Sequence, residues 1–145
     1  MTEIKKVSLE KVWELRRLVM YPQETIDFVK LEDDAQGFHW GLFTGGELVS
    51  VISVFARGEE VQFRKFATLP AQQGRGFGTM LLDHVFEWAI ANKKKKIWCN
   101  ARLSATAIYK KFGMQQVGGS WVKYGLDFIK MEKRLDECRL YQLLT

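Results

Sequence analysis

Residues 73–79 read Gln-Gly-Arg-Gly-Phe-Gly-Thr, with glycine at positions 74, 76 and 78. Glycine enters the left-handed region of backbone space at little steric cost. Three at alternate positions let the chain curl tightly and aim successive N–H groups one way. A β-rich run ending at Leu69-Pro70 precedes them, and an apolar helix is expected from about Thr79 to Ala91. The start of that helix adds its own unpaired N–H groups and the positive end of its dipole. Such a combination cradles an anion, best a diphosphate. The alternative is a glycine-rich turn with no ligand. Two other phosphate motifs do not fit. The P-loop requires Gly-Lys-Ser/Thr after its glycines, which this chain lacks. The dinucleotide fingerprint Gly-x-Gly-x-x-Gly begins at Gly74 and Gly76 and fails at Thr79.

What remains is Gln-x-x-Gly-x-Gly, on Gln73, Gly76 and Gly78. Further on, residues 105–114 read Ala-Thr-Ala-Ile-Tyr-Lys-Lys-Phe-Gly-Met. On these two stretches the chain resembles the GNAT N-acetyltransferases. Their central motif is Arg/Gln-x-x-Gly-x-Gly/Ala and their later signature is Ala-x-x-x-Tyr-x-Lys-x-Gly-Phe, with Met114 standing here for the phenylalanine. The resemblance implies acetyl-coenzyme A as co-substrate and no metal. It assigns the pyrophosphate to Gln73, Gly74, Arg75, Gly76, Phe77, Gly78 and Thr79, chiefly through backbone N–H groups. Arg75 either adds charge to the phosphates or is a solvent-exposed loop arginine. The main chain of Phe66, Ala67 and Thr68 is implied to bind the pantetheine arm as if it were another strand. Asn100 is implied to touch the same arm; its other reading is a turn former beside Ala101.

The same resemblance makes Tyr109 the general acid that protonates the leaving thiolate. A phenol with an unperturbed pKa of about 10 still holds its proton at neutral pH. Without the signature, Tyr109 reads as an aromatic packing residue. The base is less defined. Histone-type relatives use a glutamate in the strand before the phosphate loop, and alignment on Gln73 puts Gln62 there. An amide cannot act as a base, so Glu60, two residues earlier on the same strand face, is the substitute. His39 and a water relay are the alternatives. Trp98-Cys99-Asn100-Ala101-Arg102 resembles a subgroup of small bacterial members. Those often carry Pro-His in the last strand, where this chain has Asp127-Phe128. Cys99 reads as a small buried residue and His84 as a surface one.

These residues need elements to hold them. Ile4–Val7 reads as a first strand, Ser8 as a helix cap, and Val12, Leu15, Leu18 and Val19 as a helix running to about Met20. Thr25 to Leu31 reads as a shorter helix, and Asp33-Asp34 and Gly37 as a loop. Phe38–Thr44, Leu48–Phe55 and Val61–Leu69 read as an antiparallel meander with a hairpin turn at Gly45-Gly46. The long helix follows, then a short strand Ile97–Asn100 expected to lie parallel to its predecessor. Ser104 is expected to cap a helix that ends at Gly113. Met114–Gly118 and Phe128–Leu135 read as a closing pair. The order β-α-α-β-β-β-α-β-α-β-β is that of the family's fold. That fold is α/β (α+β), a mixed sheet with an antiparallel meander, a splayed parallel strand pair and flanking helices. It is expected over residues 1–135, with 136–145 as a tail in which Leu140, Leu143 and Leu144 suggest a helix.

Length and composition agree with one packed domain: 145 residues, 47% apolar, five tryptophans. Cys99 and Cys138 show no metal or redox spacing, and no targeting or spanning segment is evident, so a cytoplasmic, membrane-free protein is expected. The net charge of +5 suits phosphates. The run Lys93-Lys94-Lys95-Lys96 is read as a solvated helix end; without an aromatic–basic ladder, nucleic acid is not an expected partner. The expected acceptor is a small-molecule or protein amine, and a homodimer is possible. The other function class is a domain that binds acetyl-coenzyme A as a sensor without catalysis. Glu24, Asp27, Glu32, Asp33 and Asp34 read as a solvated acidic loop.

Overall fold

The computed structural model describes residues 1–136. The tail around Leu140, Leu143 and Leu144, and Cys138, lie outside the described residues. In chain order the elements are β1 Thr2–Lys6, α1 Leu9–Met20, α2 Ile26–Val29, β2 Phe38–Thr44, β3 Glu47–Arg57 and β4 Glu60–Thr68. Then come α3 Phe77–Ala91, β5 Lys96–Arg102, α4 Ala107–Lys111, β6 Gln115–Lys123 and β7 Leu126–Arg134. The strands hydrogen-bond in the order β1-β2-β3-β4-β5-β7-β6. β4 and β5 run parallel, and β1–β2, β2–β3, β5–β7 and β6–β7 antiparallel. This mixed sheet with flanking helices is the fold class expected. The described residues divide into two compact units, one of Met1–Phe55 with Phe63–Glu87, the other of Ala56–Gln62 with residues 88–136.

In the first unit, Ser8 caps α1 by accepting the Lys11 N–H at 3.5 Å. Val12 and Leu15 of α1 pack with Val51 and Ala67, while Leu42, Val49 and Phe77 form a second cluster. Arg16 is fully buried on the same helical face as Val12. Its guanidinium donates to both Asp34 carboxylate oxygens at 2.8 Å, to the Val29 carbonyl at 3.0 Å and to Ser53 Oγ at 2.8 Å. Trp13 Nε1 and the Leu31 N–H also donate to Asp34 Oδ2, at 2.9 and 2.8 Å. Asp34 is only 2% exposed, which corrects its reading as part of a solvated acidic loop. A buried charge persists only when paired and hydrogen-bonded, and here the pair ties α1 to the segment before β2 and to β3.

Burial alone would raise the Asp34 carboxyl. The hydrogen bonds from Arg16, Leu31 and Trp13 outweigh it and hold the group at about 2, against an ordinary 3.8. A folded-state value below the unfolded one stabilises the fold above the unfolded pKa and loses that contribution as pH falls. Stability should therefore drop by roughly 2 kcal/mol as pH is lowered from about 4 to about 2 through this residue alone. Urea titrations across that range, compared with an Asp34→Asn variant that lacks the dependence, measure it.

Alternation along β4 breaks once. Arg64 reaches Asp33 at 3.2 Å, whereas Ala67, an odd number of residues later, packs with Val12 and Leu15 of α1. Phe66 and Thr68 instead approach Gly78 at the start of α3. Lys65 sits where the parity changes, with φ +54°, a conformation uncommon for a residue with a side chain. One extra residue in a strand moves every later side chain to the other face.

The second unit has its core in Val61, Ala89, Ile97, Cys99, Ala101, Met114, Ile129, Met131 and Leu135. Two expectations change here. Ser104 does not cap a helix: residues Leu103–Ala105 form a 3-10 turn and α4 begins only at Ala107. Gly113, at φ +85°, does end it. The closing pair is longer than expected, because Ser120–Lys123 and Leu126–Asp127 continue the two strands around a turn at Tyr124 (φ +53°) and Gly125 (φ +73°). Positive φ at both central residues is the twist-matched two-residue hairpin turn. Among the described residues no helix is long and apolar enough to cross a membrane.

Candidate active site

The glycine run forms the joint between β4 and α3 in the first unit. Gly74 and Gly76 have φ of +77° and +84°, and nothing lies within 4 Å of where a Cβ would stand. Their side-chain-free, open surface is what a phosphate needs to reach backbone N–H groups. Gly78 has a different duty. A Cβ there would stand 3.2 Å from Phe66 Cζ, so this glycine lets the start of α3 close on β4. Helix α3 starts two residues earlier than expected, at Phe77. Its first internal bond runs from the Met80 N–H to the Gly76 carbonyl at 3.1 Å. The N–H groups of Gly76, Phe77, Gly78 and Thr79 precede that bond and have no partner within the helix.

Side chains brace this joint. Gln73 Nε2 donates to the Thr68 carbonyl at 3.0 Å, and Ser50 Oγ lies 2.8 Å from Thr68 Oγ1. Gln73 thus holds the loop's entry with its side chain. Arg75 is exposed, donates to Gln72 Oε1 at 2.7 Å and lies over the Phe77 ring at 5.3 Å. His84, expected at the surface, is half-buried edge-on against Trp40, with centroids 5.2 Å apart. His39 is 7% exposed. Its Nε2 donates to the Asp34 carbonyl at 2.8 Å, and its Nδ1 is hydrogen-bonded with Ser53 Oγ at 2.7 Å. Both nitrogens are occupied within the Arg16–Asp34 network, which removes His39 as the alternative base.

The second unit holds the other named residues. Parallel pairing joins Glu60 to Lys96, Val61 to Ile97 and Gln62 to Trp98. Glu60 is half-exposed, 3.6 Å from Lys96 Nζ. Asn100 is exposed on β5. Tyr109 is half-buried on α4, and the thiol of Cys99 acts on it electrostatically. Burial, then Cys99, pushes the Tyr109 phenol well above its usual range. Burial likewise pushes the Cys99 thiol up to about 12, so it is a packed thiol and a poor nucleophile. One carboxylate escaped the sequence reading. Glu132 of β7 is the partner of Trp98, which is the partner of Gln62. Glu132 therefore stands in the sheet row of the missing glutamate, 3.7 Å from Lys96 and 3.9 Å from Lys130. No local signal marks it; only the β5–β7 register does.

A glycine turn with open positive-φ positions and a long helix behind it is a site of the kind that takes a phosphate. A family model described as Acetyltransferase (GNAT) domain matches residues 9–135. An uncharacterised N-acetyltransferase of Bacillus subtilis, YitI, is 30% identical over 127 residues, covering 81% of this chain and 85% of its own. The ribosomal-protein-S18-alanine N-acetyltransferase of Escherichia coli superposes with a TM-score of 0.78 at 16% identity, over 92% of this chain and 94% of its own. A GNAT acetyltransferase of Elizabethkingia anophelis, solved with acetyl-CoA bound, gives 0.72 at 18% identity, over 92% and 97%. The chain belongs to the GNAT acetyltransferase family. It is an N-acetyltransferase with acetyl-CoA as its donor.

Proposed function

We propose that the protein transfers the acetyl group directly to a primary amine, on a small molecule or a protein, in a ternary complex. The observation that carries this reading is the open Gly74–Gly76 turn feeding α3. The backbone of Gly74 to Thr79 holds the diphosphate, with Arg75 at its rim. The main chain of Phe66, Ala67 and Thr68 and the side chain of Asn100 hold the pantetheine arm. Acetyl-CoA supplies an activated thioester when bound. Tyr109 keeps its proton for the departing thiolate. Glu60 takes up the proton that the ammonium form of the acceptor must lose, by way of solvent.

Calorimetric titration tests the loop. Gly76→Asp puts a carboxylate and a strained backbone into the anion cradle. Acetyl-CoA affinity should fall roughly 100-fold or more, equivalent to losing two or so charge-assisted hydrogen bonds. A matching thermal melt for the variant excludes unfolding as the cause. Equal affinity in the two proteins would rule out the diphosphate site. Steady thiol release with an amine panel distinguishes catalysis from sensing.

A further inference from the structure

On β5 and β7 the side chains Ile97, Cys99, Ala101, Ile129 and Met131 are buried, so the alternate ones share the opposite face. Register sets Arg102 of β5 opposite Phe128 of β7, and Phe128 opposite Trp121 of β6. Directly opposed residues of antiparallel strands lie on one face. The Phe128 and Trp121 rings stack with centroids 6.2 Å apart and planes 21° apart, and Trp121 remains 38% exposed.

The cations of this face differ in how they are used. Lys96 pairs with Glu60 and Glu132, Lys130 with Glu132 and the Trp98 ring, Arg134 with Asp136, and Lys123, two residues beyond Trp121, lies over the Tyr124 ring. Arg102 is exposed and, among the described residues, makes no hydrogen bond or ion pair. An unspent guanidinium at the end of an exposed aromatic stack presents a planar fork for a carboxylate beside a surface for a ring.

We infer that the row Arg102–Phe128–Trp121 binds the amine acceptor, and that this acceptor is a free amino acid with an aromatic side chain. Arg102 takes its carboxylate and the stacked rings take its side chain, leaving the α-amine to react. The assignment rests on the transferase reading above, in which Asn100 meets the cofactor arm. Asn100 is two residues from Arg102 on the same face, about 7 Å along the strand. Arg102 stands opposite Phe128, so its planar fork meets one carboxylate directly beside the rings, whereas an oligonucleotide engages several phosphates.

The test is thiol release from acetyl-CoA with L-tryptophan, with tryptamine, which differs only by lacking the carboxylate, and with L-alanine, spermidine and an amine-free control. Wild-type kcat/KM for L-tryptophan should exceed that for tryptamine at least ~10-fold, the worth of a charge-assisted carboxylate contact. Arg102→Gln should collapse that ratio ~10-fold or more, and Arg102→Lys should restore part of it. Trp121→Ala should lower the preference for L-tryptophan over L-alanine by about three- to tenfold. Transfer to tryptamine or spermidine as good as to L-tryptophan, or a ratio untouched by Arg102→Gln, overturns the acceptor assignment alone. Tight acetyl-CoA binding with no thiol release from any amine overturns the transfer mechanism and the acceptor with it.

Discussion

Tyr109→Phe should lower kcat by ~10²- to 10⁴-fold, the span of a positioned general acid, while acetyl-CoA affinity changes little. The substitution removes one oxygen from a half-buried ring and leaves its packing, so the fold should be unaffected. The leaving thiolate needs a proton, and the phenol is an acid on the same compact unit as Asn100 and Glu60. Burial and the neighbouring Cys99 raise its pKa. The sign matters: a raised value extends the protonated form to higher pH. The wild-type profile should therefore show no loss through Tyr109 up to an ordinary phenol's value of about 10. Rapid-quench turnover and the pH dependence of kcat measure both. A Phe variant within threefold of wild type would sink the acid role. A variant that lost affinity in proportion to kcat would reassign Tyr109 to binding.

The second large effect concerns stability. Asp34→Asn should cost about 3–5 kcal/mol, because removing one partner of a buried ion pair leaves the other uncompensated. Arg16 has no exposure, and its Nε already lacks a partner among the described residues. The asparagine cannot accept on both positions and would strand part of the guanidinium. Replacing both residues, as Arg16→Met with Asp34→Leu, should cost distinctly less than the sum of the singles, since apolar groups of similar volume tolerate the site. Urea unfolding of the three variants settles it. A loss below about 1 kcal/mol for Asp34→Asn would show that the pair is not sealed from water.

The local features of this chain were legible from residue order. The Ser8 cap, the Gly45-Gly46 hairpin, the Gly113 terminator and the Gly74–Gly76 turn each depend on backbone preferences of a few neighbouring residues. So do the stripe of α3 and the signature around Tyr109. Where local reading failed, the misleading signal was also local. Ser104 looks like a cap, but a 3-10 turn takes its place, and the strand expected to end at Gly118 continues to Lys123.

Other features exist only through pairing between distant segments. Arg16 and Asp34 are unremarkable surface residues by type, and become a buried pair because α1 and the segment before β2 fold over Ser53 of β3. The bulge at Lys65, the row Gln62–Trp98–Glu132 and the row Arg102–Phe128–Trp121 likewise depend on strand register. Sequence determined the family, the glycine turn before α3 and the candidate acid, since each is written in contiguous residues. Tertiary structure alone decided which carboxylate shares a sheet row with Gln62, which histidine is locked and that Arg102 makes no ion pair among the described residues. A shift of one residue in register turns every side chain of a strand to the opposite face, and that choice is made by long-range packing.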